Sequence, residues 1–141
     1  MHRQLYEAAL AHIVQGDLAL RPLSKERGIG TTFGGKVESS ETPEAAIVRE
    51  LWEEVGIKPR EMRRLPDRGV DWLGHAARIA VFVVTAWEGE PRNLALQEHS
   101  DVRWFTCEEI ECLPMQEEAR REVLGLLRAR AGTLENARSC S

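Results

Sequence analysis

Hydrophobic and polar positions alternate or cluster in ways that predict strands interleaved with two helices. Leu5 to Val14 is apolar enough for a strand, and Asp17 to Arg21 (DLALR) is its hairpin partner across Gln15-Gly16. Pro22 to Gly35 contains five glycines or prolines and reads as a loop. Thr42-Pro43 opens a helix, because threonine caps and proline suits the first helical position. That helix runs through Val55 and stops at Gly56. A further strand falls within Glu61 to Trp72. Ala76 to Trp87 (AARIAVFVVTAW) is a near-continuous apolar run, the pattern of a central strand covered on both faces. Glu88-Gly89-Glu90-Pro91 is a turn, and Val102 to Thr106 a short strand. Met115 to Arg130 is a second long helix with Val123, Leu124, Leu126 and Leu127 inward. The pattern fits an α/β sandwich, expected as one domain over residues 1–130 with a polar tail over 131–141.

Composition narrows the function class. The chain has 141 residues, 43% apolar and 30% charged, in the range of a folded domain. Its net charge of −4 argues against a nucleic-acid polymer as partner, which calls for a basic face. No apolar run reaches membrane-spanning length, and MHRQLYEAAL lacks the layout of a signal peptide. Three cysteines, Cys107, Cys112 and Cys140, have no zinc-type spacing, so a disulfide framework is not expected and a cytoplasmic setting is. Cys107 and Cys112 are expected to pack.

The first helix carries the chemistry. At about 100° per residue, Val48, Leu51, Trp52 and Val55 form an apolar side, expected to face the core. Glu50, Glu53 and Glu54 gather on roughly the opposite side, at i, i+3 and i+4. Such like-charge neighbours cost about 0.2–0.5 kcal/mol per pair, and they stand in the half of the helix where the dipole disfavours anions. A solvated acidic face is one explanation. A hard cation bound to the carboxylates is the other. Gly34-Gly35-Lys36, just upstream, favours the cation: glycines allow close backbone approach, and Lys36 adds a positive charge. Arg49 can pair with a neighbouring carboxylate or hold a phosphate.

Gly35 to Ile57 reads GKVESSETPEAAIVRELWEEVGI. This resembles the Nudix box, G-x5-E-x7-R-E-U-x-E-E-x-G-U, with U a bulky aliphatic residue. Gly35, Glu41, Arg49, Glu50, Leu51, Glu53, Glu54, Gly56 and Ile57 all match. Leu18-Ala19-Leu20-Arg21 resembles the strand before the loop in MutT-like Nudix enzymes, and Trp87 to Pro91 resembles one of their turns. Glu98 matches a downstream glutamate of those enzymes.

The resemblance implies a Nudix-type α/β/α sandwich with a mixed central sheet. It also implies a hydrolase that cleaves a diphosphate linked to another moiety with Mg²⁺ or Mn²⁺. Carried onto this chain, it makes Glu50, Glu53, Glu54 and Glu98 metal ligands, together with the Gly34 carbonyl. Glu50, Glu53 and Glu98 are the general-base candidates, and Arg49 orients a catalytic glutamate. Glu41 is structural or outer-sphere. Arg21, Lys36, Phe33 and Gln116 are the substrate-binding candidates. The usual W-x-x-P-G-G-K is replaced by Gly30-Thr31-Thr32-Phe33-Gly34-Gly35-Lys36, so the pocket wall is expected to differ. A homodimer is a common family arrangement, though no segment here demands one.

Subfamily signals narrow the substrate. Asp71-Trp72 stands where ADP-ribose enzymes carry proline, and Leu73-Gly74-His75 where diadenosine-polyphosphate enzymes carry tyrosine. An extra N-terminal domain, frequent in the former, is not expected. The remaining class acts on nucleoside triphosphates and gives a monophosphate and pyrophosphate; oxidised purines and pyrimidine deoxynucleotides both stay open. Gln116 or Glu117 stands where MutT-like readers of oxidised guanine place an asparagine. Among the rings, Trp72, Trp87, Trp104 and Phe82 are expected in the core, and Phe33 beside the ligand. His75 and His99 are expected to be ordinary surface or hydrogen-bonded histidines. A non-catalytic nucleotide sensor, a sugar-nucleotide hydrolase and a protein-interaction face are the competing readings. The six acids and two bases between Gly35 and Ile57 account for the whole charge excess.

Overall fold

A computed structural model describes residues 6–25, 30–72 and 75–139. Nine elements follow in order: β1 Tyr6–Gln15, β2 Leu18–Ser24, β3 Phe33–Lys36, α1 Pro43–Val55, β4 Lys58–Trp72, β5 His75–Glu88, β6 His99–Phe105, α2 Cys107–Cys112 and α3 Glu117–Ser139. The fold class is α/β, as expected. The chain divides into two compact units. The first takes in Met1–His12 and Phe33–Ala95, the second Ile13–Thr32 and Leu96–Ser141.

In the first unit β5 lies between β4 and β1, and β3 pairs antiparallel with β1 from Ala8↔Lys36 to Ala11↔Phe33. β5 is buried without interruption from Ala80 to Val84, so both of its faces are covered. β4 starts earlier than expected, at Lys58. Two of its breaks in register, Pro59/Glu61 and Leu65/Arg68, adjoin or span prolines. A proline lacks the N–H that a ladder needs, and bulges absorb that loss.

α1 keeps the predicted limits. The Thr42 side chain accepts the Ala45 N–H at 3.1 Å, and Pro43 opens the first turn. Gly56 ends the helix in the left-handed conformation (φ 72°), its N–H reaching the carbonyls of Leu51 and Trp52. The loop after β5 finishes the job: the N–H groups of Leu94 and Arg92 donate to the carbonyls of Glu54 and Val55. The buried face differs from expectation. Ala46, Ile47, Leu51, Glu54 and Val55 are buried, whereas Val48 and Trp52 are exposed by 43% and 54%. The helix is rolled so that its glutamate edge, not its Val48–Trp52 edge, meets β3. The Trp52 ring is covered instead by the Lys58 ammonium, 5.2 Å from its centroid.

In the second unit the end of β1 pairs with β2 from Ile13↔Leu20 to Gln15↔Leu18, around Gly16 at φ 60°. β2 pairs antiparallel with β6 and continues past Arg21 to Ser24, so the expected loop begins later. β6 starts at His99, three residues before the expected Val102, and Thr106 caps α2 rather than ending the strand. Thr106 and Glu109 form a reciprocal capping box at that helix. The expected packing role fails for Cys112, which is exposed on this short helix; Cys107 is half-buried. α3 buries Ala119, Val123, Leu124 and Leu127, with Leu126 half-buried. It begins at Glu117 and continues to Ser139, through most of the expected tail. Among the described residues, no helix is long and apolar enough to cross a membrane.

Candidate metal centre

The glutamates of α1 and the glycines of β3 are fitted to each other. Gly34 has φ 133°, and its N–H donates to Glu54 Oε2 at 3.1 Å. A side chain at Gly34 would put Cβ 2.1 Å from the Ala9 carbonyl oxygen. A side chain at Gly35 would put Cβ 2.6 Å from Glu50 Oε1. At Gly34 only bare backbone fits against β1, and at Gly35 a side chain would have to displace the Glu50 carboxylate.

The three glutamates grade from inside to outside rather than standing together opposite the core. Glu54 is 6% exposed, the Glu50 side chain 16%, and the Glu53 side chain 58%. A buried carboxylate is costly unless hydrogen-bonded, and the Gly34 N–H meets part of that need.

Arg49 ties this edge to the loop before the helix. Its Nε and Nη2 grip the Glu41 carboxylate at 2.8 and 2.9 Å, a bidentate pair. Nη1 donates to Glu50 Oε1 at 2.9 Å and to Glu53 Oε2 at 3.5 Å. Nη2 also donates to the Lys36 carbonyl at 3.1 Å, while the Lys36 side chain stays exposed. The Arg49 hydrogen bonds, joined by the Glu38 N–H, pull the Glu41 carboxyl down to about 2. The same bond to Glu41, more than any other contact, pushes the Arg49 guanidinium up.

A lowered carboxyl stabilises the folded state above its ordinary pKa of 4.5 and loses that contribution as pH falls towards about 2. Melting temperature against pH should therefore slope downward on that acid side in the wild type. Glu41→Gln should remove part of the slope; identical slopes would show that the pair does not contribute.

The donor set suits a hard divalent cation. Arg49 brings one positive charge to Glu41, Glu50 and Glu53, so the edge stays net negative even before Glu54 is counted. Carboxylate oxygens of graded exposure along one helix edge are ligands that Mg²⁺ and Mn²⁺ accept.

Of the other expected site residues, Phe33 belongs to the first unit and Arg21, Glu98 and Gln116 to the second. Phe33 was expected to wall the ligand, but it is completely buried opposite Ala11. Its side chain leaves the inward face of β3, so the ring offers no surface to a base. Arg21 is also inside, 1% exposed, with Nη2 donating to Thr32 Oγ1 at 3.0 Å. The strand that carries it, β2, lies between β1 and β6. Gln116 is exposed immediately before α3, where a reader of the base is expected. Glu98 precedes β6 with an exposed side chain, and its carbonyl accepts the Lys25 N–H. His99 is buried rather than on the surface, and burial pulls its pKa down while Glu98 opposes the shift. Phe82 is buried, whereas Trp87 and Trp104 are only half-buried. The side chains of Trp72 and His75, together with residues 73, 74, 140 and 141, lie outside the described residues.

Sequence reasoning missed the support given by the 92–94 backbone to the carbonyls of Glu54 and Val55. Backbone donors leave no side-chain signature. It also missed His12, fully buried in β1.

This pairing of a glycine strand with a glutamate-edged helix defines a Nudix domain. The family model described as NUDIX domain matches residues 12–126, and the chain belongs to that family. Among relatives, an 8-oxo-dGTP diphosphatase of Proteus vulgaris is 39% identical over 52% of this chain and 66% of its own length. An 8-oxo-dGTP diphosphatase of Escherichia coli K12 is 43% identical over 41% of this chain and 45% of its own. The chain thus spans less than two thirds of these relatives. The crystal structure of a MutT NUDIX hydrolase from Burkholderia pseudomallei superposes with a TM-score of 0.73 at 28% identity. It covers 87% of this chain and 98% of that one.

Proposed function

We propose that this chain hydrolyses a nucleoside triphosphate to a monophosphate and pyrophosphate, using a divalent cation held on α1. The observation that carries the reading is the graded edge of Glu50, Glu53 and Glu54 set against Gly34 and Gly35. Glu53 and Glu54 are the first ligands, joined by Glu50 and the Gly34 carbonyl. When bound, the cation would neutralise phosphate charge and make water a better nucleophile.

The protein's own groups do the rest. Arg49 restrains Glu50 and Glu53 in one geometry, and Glu41 restrains Arg49. Lys36 offers its exposed ammonium to a phosphate. Glu50, Glu53 and, in the second unit, Glu98 are the candidates to accept the proton of the attacking water. Glu98 is also a further ligand on the family pattern. Gln116 reads the base. The names of the two relatives support an oxidised purine deoxynucleotide as the first substrate to try.

A panel of nucleoside triphosphates, dinucleotides and sugar nucleotides, with Mg²⁺ or Mn²⁺, tests this reading through phosphate and pyrophosphate release. Pyrophosphate should come from triphosphates and cease on adding chelator. Metal-dependent binding with no turnover of any member would favour a sensor instead.

A further inference from the structure

Gly30 stands where the family usually places tryptophan, and the second unit shows what fills the space. Its N–H donates to the Pro114 carbonyl at 2.8 Å, and its backbone forms a parallel bridge with Met115. A Cβ at Gly30 would lie 2.4 Å from Leu113 Cδ2 and 3.1 Å from Leu113 Cγ. The Leu113 side chain therefore sits where a side chain at 30 would begin. Gly30 is needed here for space, since it is not among the glycines with positive φ.

The far side of the same loop is held by one guanidinium. Arg120 Nη1 donates to the carbonyls of Ile110, Glu111 and Leu113 at 2.5, 3.1 and 2.9 Å. Its Nε pairs with Glu117 at 3.1 Å, and its own N–H closes the first turn of α3 onto the Gln116 carbonyl. Arg120 thus gathers the end of α2, the loop and the start of α3. Gln116 is exposed between these anchors, as are Pro114, Glu117 and Glu118.

We propose that Gly30, Leu113 and Arg120 form a clasp that sets how Gln116 meets the nucleobase, so that Arg120 and Leu113 are positioning residues for base selectivity. The inference rests on the nucleotide reading above. A clasp of this kind acts on which base is held, not on the phosphate chemistry of α1. It also gives the Gly30 departure a physical consequence: a bulky residue there would expel Leu113 and move the loop.

The test uses the full chain and four variants: Arg120→Met, Arg120→Lys, Gly30→Trp and Leu113→Ala. Purine and pyrimidine nucleoside monophosphates are titrated without metal, and triphosphate kinetics are run beside them. Arg120→Met and Gly30→Trp should each narrow the ratio of Kd values between the best and worst bases by about tenfold or more. KM should change in the same sense while kcat for the best base changes less than about threefold. Arg120→Lys should restore part of the ratio, and Leu113→Ala should relieve Gly30→Trp in the double variant.

A fall in Tm with the base ratio unchanged would show a merely structural role and overturn the proposal. So would a wild type that binds no monophosphate. If no triphosphate is turned over but base-selective binding is present and Arg120→Met loses it, the clasp stands and the hydrolase reading falls.

Discussion

Glu53→Gln should lower turnover of the best triphosphate at least about a hundredfold, the scale of losing one preorganised electrostatic contact to a transition state. Glutamine keeps the size and one acceptor oxygen but removes the charge that a divalent ion requires. The Glu53 side chain is 58% exposed, and among the described residues it meets only Arg49, at 3.5 Å. Stability should therefore shift by no more than about 0.5 kcal/mol, as for most surface substitutions. Glu54→Gln should match that loss of turnover. Its amide oxygen can still accept the Gly34 N–H, so the fold should survive there too. Steady-state kinetics and thermal melts on the same preparations check both variants. Near-normal rates in either would remove that residue from the ligand set.

Gly34→Ala should be the most destabilising single change at the site, by more than about 3 kcal/mol. Two costs add. A non-glycine residue held at φ 133° is strained by about 1–3 kcal/mol. The new Cβ would also meet the Ala9 carbonyl oxygen at 2.1 Å, and that atom belongs to the β1 backbone. Backbone cannot rotate aside as a side chain can, so β1 and β3 must part. Gly35→Ala makes the informative contrast. Its Cβ meets the end of the Glu50 side chain, which can swing away. That variant should fold and lose activity. Urea unfolding of both checks the pair; a Gly34→Ala midpoint equal to that of the wild type would contradict the steric account.

Local chemistry in the chain located α1 well. Thr42, Pro43 and Gly56 act through bonds within a turn or two, so capping rules reach them without tertiary knowledge. The nine-residue pattern of the box located the chemistry for the same reason. What the sequence left dark depends on partners far along the chain. β3 reads Phe-Gly-Gly-Lys, with no alternation, and exists because β1 pairs with it. Glu54 is buried because Gly34, twenty residues earlier, donates to it, and that contact rolls the helix away from the side its apolar residues suggest. The glycine neighbours of Phe33 suggest a ligand nearby, whereas its direction follows from the pleat of β3. The Thr106–Glu109 capping box is a local signal of the same kind, but six residues carry too little periodicity to announce a helix.

In the proposed reaction the α1 carboxylates hold a divalent ion that directs water onto a nucleoside triphosphate. ³¹P NMR of one such reaction, begun with Mg²⁺ and then quenched with chelator, tests it most directly. Monophosphate and pyrophosphate resonances should grow and then stop when chelator is added. Diphosphate with inorganic phosphate, or hydrolysis that continues without the metal, would contradict it.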